Sequence, residues 1–111
     1  MAAGNVSEVP GPVLAARALL KELQEKHAVF RECLPLAIGI DKQLLALDPQ
    51  LDKKALRMAL RYHTGSVRYL KGVEKAEARS NLDGTPADAL TDEHRAYASE
   101  QLRERFRKDA E

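Results

Sequence analysis

From Pro12 to about Lys26 the apolar residues Val13, Leu14, Leu19, Leu20 and Leu23 recur at helical spacing, and Pro12 suits a first helical turn. His27 to Phe30 end that helix and fold its end into the core. Residues 33–40, CLPLAIGI, form a short apolar run broken by Pro35 and Gly39. Proline blocks a helix interior, and glycine permits unusual backbone angles or close approach. The run reads as a buried connector leading into a helix from about Asp41 to Ala46. A helix over 52–63 follows, with Leu56, Ala59, Leu60 and His63 on its burying side. Asp48, before Pro49, and Asp52 each offer a capping acceptor for its start.

Thr64-Gly65-Ser66 interrupts the pattern. Gly65 can end the preceding helix, and Ser66 can cap a short one from Val67 to Lys71 that Gly72 closes. Ala78 to Leu82 and Thr85 to Ala89 flank Asp83-Gly84, a strong short-range hairpin signal, and Pro86 places the second strand at an edge. The last helix runs from about Thr91 to Lys108. Its first turn carries Asp92 and Glu93 and its end carries Arg103, Arg105, Arg107 and Lys108, as the helix dipole favours. Tyr97, Leu102 and Phe106 form its expected buried side. The expected fold is α+β and predominantly helical, about five helices with one small β-hairpin. Residues 1–11 read as a disordered lead-in, 12–108 as a single domain and 109–111 as a tail.

Composition narrows the function. The single cysteine, Cys33, leaves no internal disulfide and no thiolate metal cluster, and beside Pro35 it reads as a small buried hydrophobe. His27, His63 and His94 lie too far apart for a local ligand motif, and no glycine-rich phosphate loop accompanies Gly65 or Gly72. No run approaches the roughly 20 apolar residues of a membrane span, nor does the N-terminus read as a signal peptide. The expectation is a cytoplasmic protein that is not an enzyme, with no metal, cofactor or small-molecule substrate.

Charge changes the picture. The whole chain carries a formal net charge of +1. Between residues 53 and 79, however, Lys53, Lys54, Arg57, Arg61, Arg68, Lys71, Lys75 and Arg79 face only Glu74 and Glu77, and the flanking arms are acidic. A local basic surface between acidic arms suggests a polyanion on one face. Lys53, Arg57 and Arg61 recur every four residues and so form one ridge of their helix. Like charges at that spacing cost roughly 0.2–0.5 kcal/mol per pair, with no carboxylate one turn away apart from Asp52 at the helix start. Such a ridge is open to phosphate binding. It is equally open to acidic partners from elsewhere in the fold.

The order PLAIGI (35–40), ALRMALRYHT (55–64), VRYLKGV (67–73) and ARSNLDGTP (78–86), with matching gaps, resembles the ProQ/FinO family of bacterial RNA-binding proteins over about residues 13–108. The resemblance implies a mainly helical domain with a small hairpin and an RNA-binding concave face. It implies structured RNAs with a stem and a single-stranded 3′ tail as partners: small regulatory RNAs and the 3′ ends of messages. Such RNAs are stabilised, and strand exchange between a regulator and its target can be promoted, in post-transcriptional regulation. Carried over by motif, Lys53, Arg57 and Arg61 are the basic positions of the central helix, Arg68 and Tyr69 the Arg-Tyr pair, and Arg79 the basic residue before the Leu-Asp-Gly turn.

These roles fit the residue types. Lys53, Arg57 and Arg61 would neutralise phosphates without reading sequence. Arg79 could clamp the tail. Tyr69 offers a ring for stacking and a hydroxyl near the 3′ end, or else is a core tyrosine. Arg68 could instead pair with an acidic arm. Lys54 and Lys71 are peripheral, and Thr64 and Ser66 are candidate phosphate donors. Three departures stand out: Val67 where many members have tryptophan, and Ala37 and Glu74 where a basic residue is common. The chain resembles a minimal, monomeric form of the family. Two further classes remain open, a DNA-binding helix-turn-helix-like module over 52–71 and a helical module whose basic face docks on an acidic protein.

Overall fold

A computed structural model describes residues 11–110. The expected lead-in, Gly11 excepted, and residue 111 lie outside the described residues. The elements are α1 (Gly11–Lys26), α2 (Ala28–Arg31), α3 (Ile40–Leu47), α4 (Lys53–Thr64), α5 (Val67–Lys75), β1 (Ala78–Ser80), β2 (Pro86–Ala89) and α6 (Asp92–Ala110). The architecture is therefore mainly helical with one antiparallel hairpin, as the periodicity predicts. Helix α1 packs along α4, and α6 packs along α5. Leu19 and Leu23 of α1, Phe30 of α2, Leu56 and Ala59 of α4, Leu70 and Val73 of α5, and Ala98 and Leu102 of α6 meet in one buried cluster. Each fully buried leucine or phenylalanine contributes about 1.5–3 kcal/mol.

The corner before α4 is decided in favour of Asp52. Its Oδ1 accepts from the amides of Lys54 at 2.9 Å and Ala55 at 3.4 Å. Asp48 instead accepts from Gln50 N at 3.2 Å, closing a local turn. Ser66 caps α5 as expected, its Oγ accepting from Tyr69 N at 3.2 Å.

Helix α5 does not stop at Lys71; it runs through Gly72 to Lys75. The glycine serves close approach rather than termination. A Cβ there would sit 2.6 Å from the carbonyl oxygen of Cys33, so only glycine lets α5 lie against the connector. Cys33 itself adopts a left-handed φ of 55°. With Leu34 N bonded to Val29 O at 3.0 Å and Cys33 N to Phe30 O at 3.2 Å, it closes α2 in a Schellman motif.

The connector then lines up beside β1. Ser80 N donates to Pro35 O at 2.8 Å and Ala37 N to Ser80 O at 2.9 Å, a parallel bridge on one side of β1. Strand β2 pairs on the other side and carries one extra residue between the pairs Ala78–Ala89 and Ser80–Pro86. Pro86 thus sits on the outer strand. Gln43 of α3 holds the turn, donating to Asn81 Oδ1 at 3.0 Å and accepting from Leu82 N at 2.8 Å.

Helix α6 departs from its expected packing. Leu102 is buried, but Tyr97 is 65% exposed and Phe106 is also exposed, while Ala98 takes the place against α5. The small Ala98 permits close helix contact and turns the tyrosine one position away outward. The helix also continues to Ala110, beyond the expected end at Lys108.

Candidate nucleic-acid interface

Lys53, Arg57 and Arg61 are all exposed along α4, rising about 6 Å per step. The salt bridges found among the described residues are Lys26–Glu22, Arg95–Asp92 and Arg107–Glu104, so none relieves the ridge. Lys53 and Arg57 border a hollow of about 160 Å³ shared with Asp41 and Leu45 of α3. Arg61 borders a larger cavity of about 470 Å³ between α4, α5, β1 and α6. Volumes of roughly 300–1,000 Å³ are usual for ligand sites.

That cavity collects Arg61, Thr64, Tyr69 and Arg79 from the sequence-derived set. Its lining also includes His94, Tyr97, Gln101 and Arg105 of α6, and no carboxylate among the described residues. The other cavities described on the domain are each lined by at least one, from Asp52, Asp41, Asp83, Glu22 or Asp48. Three guanidinium groups around one carboxylate-free concavity make a field suited to an anion.

The floor is held by the connector. Tyr69 is 6% exposed, with its ring packed 5.4 Å from His63. Its hydroxyl oxygen accepts from Leu36 N at 3.1 Å, which leaves the hydroxyl proton to donate. Tyr69 is thus anchored as the core reading has it, yet lines the cavity as the site reading has it. With 6% of its surface exposed, Tyr69 offers a base little open ring face. Arg79 is half-buried, and its Nη1 donates to Leu36 O at 3.0 Å while its buried Nε has no partner.

Of the other candidates, Thr64 reaches the cavity and the rest lie elsewhere. Arg68 is exposed, with Nη2 3.5 Å from Arg31 O, a weak contact and not the carboxylate pairing considered for it. Ser66 donates to His63 O at 2.8 Å and caps α5, so its hydroxyl is committed to the helix junction. Lys54 lines a separate hollow with Asp52 and Pro12. Lys71 holds its ammonium 5.7 Å from the centroid of Phe106. Thr64 lies 3.5 Å from Arg61 O and keeps lone pairs and a marginal donor contact at the cavity rim.

Beneath the site, His63 is 2% exposed and packs between Phe30 at 4.9 Å and Tyr69. Its Nε2 has no partner. Burial, and next the positive charge of Arg68, push its pKa below the usual histidine value. Among the described residues there is no cluster of histidine, cysteine and carboxylate able to hold a metal, and no helix long and apolar enough to cross a membrane.

A small helical domain with a hairpin at its side and an arginine-rich, carboxylate-free groove defines the class. The particular family follows from comparison with known proteins: the chain belongs to the ProQ/FinO family, whose model matches residues 13–111. The RNA chaperone ProQ of Idiomarina loihiensis is 38% identical over 96 residues, covering 84% of this chain and 46% of that protein. The RNA chaperone ProQ of Aeromonas salmonicida is 46% identical over 76 residues, covering 66% of this chain and 36% of that protein. The chain therefore spans less than half the length of these curated relatives. A FinO-like RNA chaperone from Neisseria meningitidis superposes with a TM-score of 0.76 at 26% identity, covering 91% of this chain and 86% of that one. A ProQ homolog from Legionella pneumophila gives 0.59 at 28% identity, covering 87% and 84%.

The α6 contribution was not anticipated from the sequence. His94, Tyr97, Gln101 and Arg105 are spaced 3, 4 and 4 residues apart, one helical face, and that spacing was the available signal.

Proposed function

We propose that this domain binds structured RNAs carrying a stem and a single-stranded 3′ tail, stabilises them and promotes pairing between a small regulatory RNA and its target. The observation that carries the reading is the ridge of α4, without an ion pair among the described residues, running into a cavity lined by Arg61, Arg79 and Arg105 and by no described carboxylate. Lys53, Arg57 and Arg61 set the RNA backbone by neutralising phosphates. Arg79 and the Tyr69 hydroxyl meet the free end of the tail at the cavity floor. Arg68, Lys54, Lys71 and Thr64 serve the margins, and Ser66 acts through its cap on α5. The protein acts as a monomer in the bacterial cytoplasm, by binding rather than by catalysis.

One hairpin in three forms tests this: with a U-rich 3′ tail, with that tail blocked at its terminal hydroxyl, and without a tail. The free tail is expected to bind best, and Arg57→Ala to weaken it about tenfold or more, the scale of a lost charge-assisted contact. With about 4–6 phosphates engaged, log K falls against log salt with a slope of roughly −3 to −5. Equal binding to all three forms, or a slope near zero, overturns the reading. Competition by duplex DNA would favour the DNA-binding alternative.

A further inference from the structure

Base stacking needs an open aromatic face, and Tyr69 does not have one. Across the same cavity Tyr97 does: it is 65% exposed, on the face of α6 that also carries His94, Gln101 and Arg105. We propose that this face of α6 is the second wall of the site, on which the single-stranded tail is stacked and read, an inference that rests on the RNA reading above.

The chemistry of the four side chains is complementary. Tyr97 supplies a π-face at the mouth of the cavity, and stacking is tolerant of base identity. Arg105, for which no salt bridge is found among the described residues, supplies a guanidinium for a tail phosphate. His94 Nδ1 accepts from Thr91 N at 3.3 Å, which places the proton of the neutral ring on Nε2 and makes that atom a donor. Gln101 adds an amide with donor and acceptor. Two donors beside a stacking ring suit the carbonyl oxygens of a uracil edge. The ridge of α4 then holds the stem backbone, the floor holds the free end, and α6 holds the bases between.

The test uses the tailed hairpin with one 2-aminopurine in its tail, whose fluorescence is quenched by stacking. Wild type is expected to quench it on binding. Tyr97→Ala is expected to lose the quench and about 5- to 100-fold in affinity for the tailed RNA, while binding the untailed hairpin as wild type does. Tyr97→Phe is expected to restore both, and because the residue is exposed, Tyr97→Ala should keep the wild-type melting temperature. If Tyr97→Ala binds and quenches like wild type while Arg57→Ala still weakens binding, the α6 inference is overturned and the RNA reading survives. If wild type shows no preference for the tail, both fall together.

Discussion

Two cavities of similar size open on this domain. The groove between α4, α5, β1 and α6 measures about 470 Å³, and the hollow beside α3 and the hairpin turn about 420 Å³. The first is ringed by Arg61, Arg79 and Arg105; the second by His27, Gln43, Ala46, Leu47, Leu82 and Asp83. Asp83 accepts from both the amide and the hydroxyl of Thr85, and these bonds, the hydroxyl first, hold its carboxyl below the usual carboxylate range. Concavity is thus shared, and the charge around it is not. What separates the proposed RNA site from a dimple is three guanidinium groups with no carboxylate in the described lining, which no measure of shape reports.

The sharpest way to break the contrast is to exchange the charges. Arg61→Glu is expected to weaken tailed-RNA binding by about 10- to 100-fold or more, the loss of a charge-assisted bond with added repulsion. Asp83→Lys at the other hollow is expected to change it by less than about twofold. Filter-binding titrations at fixed salt decide this, and equal effects would erase the distinction between the two sites.

A second test removes a wall. Gly72→Ala places a methyl 2.6 Å from the Cys33 carbonyl, forcing α5 off the connector. Overpacking of this kind costs about 1–3 kcal/mol, read as a lower urea midpoint. Gly65→Ala meets only Arg61 O at 3.2 Å and is expected to cost less.

The smallest effect is titratable. His63 lies under the groove and His27 lines the second hollow, and burial lowers the pKa of both. A folded value below the unfolded 6.5 means that the unfolded chain binds more protons. Stability is therefore full above about pH 6.5 and shrinks as pH falls below it. Urea unfolding at a series of pH values from 7 to 5 is expected to show this decline, and His63→Phe is expected to remove more of it than His27→Phe. A His63→Phe variant with an unchanged slope would refute the assignment.

Helix α4 and the hairpin were legible in the sequence because their signals are local: a four-residue charge repeat, a capping aspartate, and Asp-Gly between short strands. Gly72 was misread because close approach and helix termination leave the same letter; the difference lies in Cys33, distant in sequence. Tyr97 and Phe106 read as core residues because an aromatic residue at helical spacing looks the same whether it meets a neighbouring helix or a groove. The ridge of the site was readable for the reason α4 was. The α6 wall was not, since polar residues on one helical face look alike facing water or RNA. Tyr69 is buried as its core reading has it, while it also lines the groove.

Leu36 gives the floor its metrology. Its amide is tied to the Tyr69 hydroxyl and its carbonyl to the Arg79 guanidinium, so one residue gauges two side chains that approach it from different elements. The spacing of those two contacts is inherited from backbone geometry rather than negotiated between flexible side chains. The same arrangement makes the Leu36 amide a resident gauge. When a ligand engages the Tyr69 hydroxyl, the bond that shields this single N–H changes, and its NMR resonance and hydrogen-exchange rate report occupancy from inside the domain.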